Sequence, residues 1–581
     1  MKRRHFLGTL AFLPFIGRAQ EGPPEADPVE QMTAPSAPTI NLNHLGFRPR
    51  LGRKTLVVRL IGTSRPKTFG VRDVAEYDTF QSYPLVETRS DFGPCATGSF
   101  TDLERPGLYQ VQVGDELSVQ FAVHQDVWRR TIPRAVGYYR YQRCGVEVPG
   151  VHPACHLDDA RRRDTGEHVD VVGGWHDAGD LRKWMEVTML NGVALLNLYR
   201  NNPEPRPADP TREQLLEEVR YGNRYFLKMQ DKDGKMWADA AGGVNGDNSD
   251  NHWTDNVVGT SDDRYINPAK RTGTAAVFAT LQGLVGQCYA ASDPDYAKRC
   301  LEAGIRAWRA FPEPPTATDD LAWWTLAACE LFRATHDKEF QEHAYLLGRD
   351  LMKRQNTSFL AGQREVRGFW MNGDQPYMDI VNSALPPLAL LELHATFPEA
   401  GDRSKWLDAV RLHLDEYVLP MSERNAYRII PLGMFIGSPT PETYRPLAGN
   451  LTYRYFHPVR KQFWWQGANC HLGSNALVLG RAYKLTQKRE YVDLAYRQLE
   501  WIMGANPFAA CMMTGEGMRN PYPHSRFIGL IPGGIMNGIA GNVQDEPVLD
   551  MQYTLDWRTC EYWSPHVAFY IWANSVLESI T

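Results

Sequence analysis

The feature that most constrains the fold is a change in hydrophobic periodicity near Trp128. From about 40 to 125, apolar and polar residues alternate in short runs, such as 55–60, 108–113 and 118–123, which Gly and Pro separate. Such runs are typical of strands with one buried face, and several of them in one segment predict a small β-sandwich. After Trp128, apolar residues recur at helical spacing, which predicts a second, helical domain.

The helical part contains about twelve segments with this spacing. They lie near 131–142, 181–200, 211–230, 271–292, 294–311, 319–335, 337–353, 378–397, 403–417, 472–484, 487–503 and 562–579. Loops rich in Gly, Asn, Asp and Pro separate them, notably 231–270, 354–377, 418–470 and 504–560. Loops this long inside a compact domain are usually functional. The pattern suits an α/α toroid with its loops gathered at one end, although the sequence has no strict internal repeat.

The N-terminus has the composition of an export signal. Basic residues at positions 2–4 precede a short apolar run that ends near Ile16, and small residues follow. Residues 3–7 (Arg-Arg-His-Phe-Leu) also resemble a twin-arginine signal. No other stretch approaches a membrane-spanning length of roughly 18 apolar residues. We therefore expect a secreted or periplasmic protein with no membrane association.

These features divide the chain into four parts. We expect a signal peptide at 1–19, a Pro-rich linker at 20–38, the sandwich at 39–126 and the helical domain at 127–581. A length of 581 residues is consistent with more than one domain.

Composition limits the classes of partner. The net charge of −5 is spread along the chain, with no basic block beyond the N-terminus, which argues against nucleic acid. The 16 Trp and 26 Tyr suit a carbohydrate binder, because sugar rings stack on aromatic rings, although large cores also use aromatic residues. Nine cysteines cannot all pair within one chain, so at least one thiol is free or bound to metal.

Two carboxylates stand three residues apart in the segment 173–180, Gly-Gly-Trp-His-Asp-Ala-Gly-Asp. At this spacing Asp177 and Asp180 can face the same side, and the small residues between them leave room for water or substrate. Such a pair can deprotonate a water molecule, as inverting glycoside hydrolysis requires. The alternative is that both residues cap a helix that begins near Leu181. The spacing alone leaves both interpretations open.

Several motifs, in the same order, resemble those of glycoside hydrolase family 9 enzymes that carry an N-terminal immunoglobulin-like domain. Residues 43–49 (Asn-His-Leu-Gly-Phe-Arg-Pro) resemble the opening of that domain, and 139–145 the start of the catalytic domain. Residues 173–180 match the family's Asp-pair signature. Residues 506–507 and 521–526 resemble its substrate motif, and 556–561 resemble the segment that carries its acid.

The resemblance implies an (α/α)6 barrel that hydrolyses β-1,4-linked glucans with inversion. Asp180 would be the general base, Asp177 would hold the water, and Glu561 would be the general acid. His524 and Arg526 would bind sugar hydroxyls beside the scissile bond. Without the resemblance, Glu561 reads as a solvated residue in the first turn of a helix, and the other two as an ordinary loop pair.

The chain departs from the family around the sugar subsites. Cys560 replaces an Asn before the acid, residues 562–566 (Tyr-Trp-Ser-Pro-His) replace a Val-Ala sequence, and Ser525 replaces a His. We include Trp563 among the substrate-binding residues. These changes leave the exact substrate and the endo or exo mode open.

A possible metal site combines two thiols and two imidazoles. Cys144, Cys155, His156 and His176 form a closed set that is typical of structural zinc, and the same set is familiar from this branch of the family. The alternative is a disulfide between Cys144 and Cys155. A closed set leaves no ligand position for water, which argues against a zinc hydrolase.

A calcium site is the second metal prediction. Asp319 and Asp320, within residues 318–323, resemble the calcium segment of the family, and oxygen ligands suit calcium. The alternative is that these acidic residues only cap a helix.

The sequence is compatible with three functions. The first is an endo-β-1,4-glucanase acting as a monomer on a β-linked polysaccharide or oligosaccharide. The second is an exo-β-D-glucosaminidase on chitosan oligosaccharides, which acidic residues near the nonreducing-end subsite would favour, because a glucosaminyl ammonium needs a counter-charge. The third is a noncatalytic carbohydrate-binding protein, which has no need of an intact acid and base.

Overall fold

The computed structural model describes residues 38–76, 80–202, 204–242, 252–313, 315–360, 362, 364–440, 442–457, 467–527, 529–551 and 557–580. The predicted signal peptide, nearly all of the predicted linker and Asp556 lie outside these residues. Among the described helices, none is long and apolar enough to cross a membrane.

The N-terminal domain consists of strands in two layers. They are β1 (Ile40–Asn41), β2 (Gly46–Phe47), β3 (Thr55–Arg59), β4 (Thr68–Asp73), β5 (Gln81–Thr88), β6 (Cys95–Ser99), β7 (Gly107–Val113), β8 (Glu116–Leu117) and β9 (Phe121–Val123). One layer runs β1-β3-β6, and the other runs β4-β7-β9-β2 with β8 beside β7. Strand β5 belongs to both, because its first half pairs with β4 and its second half with β6. Alternating apolar residues such as Leu56, Phe69 and Val111 form one core between the layers.

The rest of the chain is mainly helical. The helices are α1 (Ile132–Tyr141), α2 (Met185–Asn201), α3 (Arg212–Lys228), α4 (Thr272–Cys288), α5 (Pro294–Arg309), α6 (Thr318–Thr335), α7 (Lys338–Lys353), α8 (Leu385–Thr396), α9 (Arg403–His413), α10 (Leu419–Ser422), α11 (Asn469–Thr486), α12 (Arg489–Ile502), α13 (Trp557–Cys560) and α14 (Ser564–Glu578). A π-helical turn, Leu414–Val418, continues α9. A 3₁₀ turn, Arg129–Thr131, precedes α1.

The helices form two concentric rings. In the inner ring, α2, α4, α6, α8, α11 and α14 each pack on the next, and α14 packs on α2 to close the ring. In the outer ring, α3, α5, α7, α9 and α12 each pack on the inner helix that precedes them, and α1 packs on α14. Inner helices are covered on both sides, so every residue from Gly273 to Val285 of α4 is buried. Outer helices bury one stripe; in α5 it consists of residues 296, 297, 300, 303, 304, 307 and 308. The predicted (α/α)6 barrel behind a β domain is confirmed.

Short strands in the loops complete the fold. They are β10 (Arg161–Arg162), β11 (Lys183–Trp184), β12 (Asp239–Ala241), β13 (Tyr265–Asn267), β14 (Met371–Asn372), β15 (Gln375–Pro376), β16 (Gly433–Ile436), β17 (Arg445–Ala448), β18 (Leu451–Arg454), β19 (Ala540–Gly541) and β20 (Pro547–Val548). The sheet β10-β13-β12-β11 lies directly before α2 and positions the loop with the two aspartates.

The β domain packs on the barrel through the 43–49 motif. Arg48 is buried, and its guanidinium donates to the carbonyls of Leu577, in the last turn of α14, and Ile580, just beyond it, both at 3.1 Å. Gly46 has φ +115°, and a Cβ there would lie 1.8 Å from the Ala122 carbonyl oxygen, so only glycine fits. A cation at a helix C-terminus also opposes the helix dipole favourably. The first domain therefore fixes the end of the helix that follows Glu561.

Replacing Arg48 with Met should lower the free energy of unfolding by about 2 kcal/mol, because charge-assisted hydrogen bonds to buried carbonyls are lost. Arg50→Met is the matched control, since the Arg50 side chain is exposed and pairs only with Glu104, and it should change stability by less than about 0.5 kcal/mol. Thermal and denaturant unfolding would measure both, and equal stability of the two variants would contradict the proposed anchoring.

Candidate active site

The segment with the two aspartates lies beside the segment that follows Glu561. Ala178 and Trp563 form a β-bridge, and the Ser564 N–H donates to the Asp177 carbonyl oxygen at 2.7 Å. The indole Nε1 of Trp563 donates to Asp177 Oδ2 at 2.9 Å. One aspartate is therefore tied to the chain two residues beyond the predicted acid.

Residues 524–526 lie against both segments. The Arg526 N–H donates to the Gly179 carbonyl oxygen at 2.9 Å, and the His524 N–H donates to the Cys560 carbonyl oxygen at 3.1 Å. His524 and Glu561 also form a parallel β-bridge. A Cβ on Gly179 would lie 2.5 Å from the His524 carbonyl oxygen, so this close approach requires glycine. The structure thus brings together the three motifs that the sequence separates.

Neither aspartate caps a helix, so the capping interpretation is wrong. Helix α2 begins at Met185, later than expected, and its N-cap residue Trp184 makes no side-chain cap. Asp177 Oδ1 accepts from the Trp184 N–H at 3.1 Å, and Asp180 Oδ1 accepts from the Arg182 N–H at 3.3 Å. The strand β11 stands between the pair and the helix, which leaves both carboxylates in a loop.

The two carboxylates titrate as an interacting pair. Burial, and then the charge of Asp180, raise the pKa of Asp177 well above its ordinary value. Burial also raises the pKa of Asp180, which Arg182 opposes. Like charges this close disfavour double ionisation, so the pair holds a proton to higher pH than an isolated aspartate would.

Glu561 is not in the first turn of a helix, and that interpretation is wrong. It lies in the extended segment between α13 and α14 and is only 7% exposed. Its neighbour Tyr562 bridges Met536, and Trp563 bridges Ala178, so the chain stays extended until α14 begins. The carbonyl of Glu561 accepts from the Asn537 N–H at 2.6 Å. Its side chain is thereby largely withdrawn from solvent.

A buried ion triad holds the loop with the aspartates, and the sequence analysis missed it. Asp159 pairs with Lys183 at 2.6 Å and with Arg264 at 2.6 Å, and all three side chains are inaccessible to solvent. Lys183 Nζ also donates to the Gly173 carbonyl at 3.0 Å, and Arg264 Nη1 donates to the Leu181 carbonyl at 2.5 Å. Both ends of the loop are therefore fixed. Lys183 comes three residues after the signature segment in sequence, which is a local hint that Asp159 and Arg264 lack.

A cavity that opens to solvent lies beside Trp184 and Trp563, the two residues that donate hydrogen bonds to the Asp177 carboxylate. Aromatic side chains and a few polar groups line it: Trp184, Glu186, Val187, Leu190, Trp323, Asp379, Ile380, Val381, Asn382 and Trp563. Flat aromatic rings with a few polar groups are suited to a sugar, which presents apolar faces and hydroxyl edges.

A cluster of acidic side chains stands at this cavity. Burial, together with Asp319 and Asp320, raises the pKa of Glu186 to about 8. Burial, with Asp319 and Asp379, raises the pKa of Asp320 to about 7, and burial and Asp319 raise that of Asp379 to about 6. Glycine at position 273 leaves space for them, since a Cβ there would lie 2.6 Å from Asp320 Oδ1 and 3.8 Å from Glu186 Oε1. The cluster carries more negative charge than its surroundings balance.

The sequence analysis identified only two of these four acidic residues. Asp319 and Asp320 stand in the first turn of α6, as predicted, with no side-chain cap at the helix start. Glu186 and Asp379 come from α2 and from the loop before α8, and no local motif marks them. Among the described residues, this cluster does not bring three ligand atoms within 4.8 Å of one another. Calcium binding here stays a prediction.

The predicted thiol and imidazole cluster is assembled in the interior. Cys144 Sγ lies 3.7 Å from His156 Nδ1, and Cys155 Sγ lies 3.5 Å from His176 Nε2. All four residues are buried, and their ligand atoms lie within 4.8 Å of one another. All nine cysteines are free thiols, so the structure does not contain the alternative disulfide between Cys144 and Cys155.

The surroundings of this cluster suit a metal ion. His176 Nδ1 donates to the Leu181 carbonyl at 2.7 Å, which leaves Nε2 unprotonated toward the cluster. Burial lowers the pKa of His176 to about 4, so its imidazole is neutral. Burial raises the pKa of Cys144, but Cys155, Lys183 and His176 outweigh it and lower that pKa well below normal. A thiolate with neutral imidazoles is the form in which these groups bind metal.

Comparison with known proteins agrees with this geometry. The sequence model described as glycosyl hydrolase family 9 matches residues 128–543. A cellodextrinase of Butyrivibrio fibrisolvens is 23% identical over 500 residues, which cover 76% of this chain and 80% of that protein. A xyloglucan-specific endo-β-1,4-glucanase of Bacteroides ovatus is 23% identical over 575 residues, covering 87% of this chain and 86% of that protein.

Solved structures share the fold at low identity. A metagenome-derived glycoside hydrolase family 9 endoglucanase superimposes with a TM-score of 0.72 at 22% identity, covering 93% of this chain and 99% of that one. A zinc-binding triple mutant of another family 9 endoglucanase gives 0.66 at 24% identity, covering 91% and 99%. Since the family model spans well over half of the sequence, the chain belongs to glycosyl hydrolase family 9.

Proposed function

We propose that this protein is an inverting hydrolase of β-1,4-linked glucans, acting as an endo-glucanase. The observation that carries the proposal is the meeting of the Asp177–Asp180 loop, residues 524–526 and the segment of Glu561, whose Trp563 lines an aromatic cavity. The relatives include enzymes named as endoglucanases and a cellodextrinase. A binding protein would have no need to hold three carboxylates at the edge of its cavity.

In this proposal Asp180 is the general base. It accepts a proton from a water molecule that attacks the anomeric carbon, while Asp177, fixed by Trp184 and Trp563, orients that water. Glu561 donates a proton to the leaving glycosidic oxygen, which requires a carboxyl that is kept protonated, as withdrawal from solvent favours. Inversion needs roughly 6.5–9.5 Å between base and acid to leave room for the water.

Sugar binding is assigned to His524, Arg526 and Trp563. The first two would donate hydrogen bonds to hydroxyls beside the scissile bond, and the indole ring of Trp563 lines the cavity. Because Trp563 also holds Asp177, a sugar that stacks there would be aligned with the attacking water. Trp563 would therefore both position the bond to be cleaved and hold the aspartate that orients the water.

The metal assignments belong to the same proposal. Zinc at Cys144, Cys155, His156 and His176 would be structural, and would steady the loop because His176 immediately precedes Asp177. Calcium at Asp319 and Asp320 would neutralise part of the acidic cluster. We also propose export through residues 1–19 and an immunoglobulin-like sandwich at 39–126 before a catalytic domain at 127–581, consistent with strands at 40–123 and helices from 132 onward.

A second candidate function is supported by the acidic cluster. Glu186 and Asp379 face the cavity with raised pKa values, which indicates that a bound cation would be favourable there. An amino sugar supplies such a cation as its ammonium group. The alternative is therefore an exo-β-D-glucosaminidase that removes single units from chitosan oligosaccharides.

Product analysis separates these functions. Wild-type protein and Glu561→Gln would be given carboxymethyl cellulose, mixed-linkage glucan, cello-oligosaccharides and chitosan oligosaccharides. We expect mid-chain cleavage of glucans with the α-anomer formed first, and a loss of about 10²-fold to 10⁴-fold in kcat in the variant. The variant should recover most of its rate on 2,4-dinitrophenyl β-cellobioside, whose leaving group needs no acid.

The control is Glu546→Gln, an exposed glutamate that should keep wild-type rates. Release of single glucosamine units would transfer the assignment to the second candidate. A Glu561→Gln variant as active as the control on glucans would refute the role of the acid, and no turnover of any substrate would leave only a binding protein.

The pH profile tests the coupled aspartates. Activity needs an ionised Asp180, so it is lost as pH falls through the raised pKa of that residue. Asp177 has the more strongly raised pKa of the pair and is therefore still neutral when Asp180 ionises. Asp177→Asn should therefore leave the acid limb of kcat/KM in place while kcat falls, since the water loses its orienting carboxyl group. Asp170→Asn, an exposed neighbour in the same loop, should leave both the limb and kcat unchanged. A limb that moves to lower pH by about one unit in Asp177→Asn would show that Asp177 is charged when Asp180 titrates, and would contradict this order of ionisation.

Metal content tests the zinc assignment. The purified protein should contain one zinc ion per chain by mass spectrometry of the dissolved metal, and Cys155→Ala should lose it and unfold at a lower temperature, because structural zinc contributes to folding. Cys300→Ala removes a buried thiol that accepts from Asn223 Nδ2 at 3.4 Å and lies outside the Cys/His cluster, and should retain zinc. Equal zinc in both variants would overturn the assignment.

A further inference from the structure

We propose that Asp158, Asp262 and Asp263 bind a divalent cation, Ca²⁺ in the first place, at a site separate from the Cys/His cluster. The three residues come from two distant segments, the turn after His156 and the end of the loop 252–263. One carboxylate oxygen from each lies within 4.8 Å of the others, a spacing that a single ion can bridge.

The orientation of Asp158 points independently to a ligand. Its side chain is inaccessible to solvent, and its Oδ2 has no hydrogen-bond partner, while Oδ1 accepts from the Thr254 hydroxyl at 2.6 Å. A buried carboxylate oxygen without a donor loses its hydration with nothing in exchange. A bound cation at this position would satisfy that oxygen and offset the cost of burying the charge.

The charge balance around the three aspartates is negative. Arg161 is the cation that pairs with Asp263, at 3.3 Å, and the same guanidinium also donates to the Thr260 carbonyl. Asp255 adds a fourth carboxylate, whose Oδ1 lies 3.3 Å from the Thr260 hydroxyl. His252 Nε2 lies 3.2 Å from the Asp262 carbonyl oxygen, so it faces the backbone there. Among the residues that the structure describes, one guanidinium is thus left to balance three or four carboxylates.

The donor atoms select the class of metal. Every candidate ligand is oxygen: three carboxylates, with the hydroxyls of Thr254 and Thr260 hydrogen-bonded to Asp158 and Asp262 at 2.6 Å each. Hard oxygen ligands suit Ca²⁺, whose flexible coordination tolerates a site formed by a loop. Zinc would bind preferentially to the nearby thiolates and imidazoles of the Cys/His cluster.

The ion would tie the loop 252–263 to the segment that carries two ligands of the Cys/His cluster. Within this loop Trp253 stacks on His156 at 5.9 Å between ring centroids. Trp253 also contacts Phe527, the residue after Arg526, at 5.9 Å. Asp158, Asp262 and Asp263 would then act as positioning residues for the loop that covers the Cys/His cluster and touches the substrate segment.

The test measures calcium directly. Purified wild-type protein, Asp262→Asn and Asp158→Asn would be freed of calcium by dialysis, and Ca²⁺ bound per chain would be counted by equilibrium dialysis with elemental analysis. We expect each variant to bind one Ca²⁺ per chain fewer than wild type at equal zinc content. Asp164→Asn, an exposed aspartate of the same segment, should match wild type. Asp320→Asn removes the other predicted calcium ligand and should leave this site filled.

Thermal unfolding gives a second readout that an ordinary structural role would not reproduce. Added CaCl2 should raise the Tm of wild type more than that of either variant, and more than MgCl2 does, because only the folded protein forms the site. Without calcium, Asp158→Asn should be at least as stable as wild type, since it removes an unbalanced charge.

Equal Ca²⁺ per chain in wild type and Asp262→Asn would overturn the proposal. So would a Tm loss in the variants that is the same with and without calcium. Because Asp262 is partly exposed, its variant decides the matter even where Asp158→Asn does not fold. None of these measurements depends on glucan hydrolysis, so their failure is distinct from failure of the proposed activity.

Discussion

The geometry of the site depends on the buried triad of Asp159, Lys183 and Arg264. With all three charges out of solvent, removing one partner would leave an uncompensated charge, at a cost of about 3–5 kcal/mol. Although burial opposes it, the two cations hold the pKa of Asp159 well below its usual range. The triad has one positive charge in excess, and Lys183 also favours the thiolate of Cys144. The charge that fixes the loop therefore also prepares the adjacent cluster for metal.

The helices could be predicted from the sequence because a helix that is buried on one or both sides has apolar residues at helical spacing. Each long predicted segment contains a helix in the structure, whose bounds differ from the predicted ones by up to seven residues. The motifs also predicted which residues meet. The triad was not predictable, since Asp159 and Arg264 are 105 positions apart and no local pattern links them. Without the family resemblance, Glu561 would be assigned to the first turn of a helix, because the bridges to Met536 and Ala178 that keep the chain extended come from distant segments.

The β domain bears on the site although it lies at the other end of α14. Arg48 holds carbonyls at the C-terminal end of this helix, while the helix begins three residues after Glu561. A rigid helix transmits position along its axis, so anchoring its far end restricts where Glu561 can lie. The 43–49 motif is therefore part of the domain interface, and its glycine and arginine serve packing rather than substrate.

Aspartates and glutamates in this molecule differ in state because they differ in the number of nearby cations. Asp159 has two and is firmly ionised. Asp177 and Asp180 share Arg182, which leaves the pair with a raised affinity for one proton. The cluster of Glu186, Asp319, Asp320 and Asp379 and the group at Asp158 are underbalanced, and an underbalanced buried carboxylate must either take a proton or take a cation. Which cation it takes, a metal ion or the ammonium group of an amino sugar, decides whether such a group serves as a metal site or as a subsite for a charged sugar.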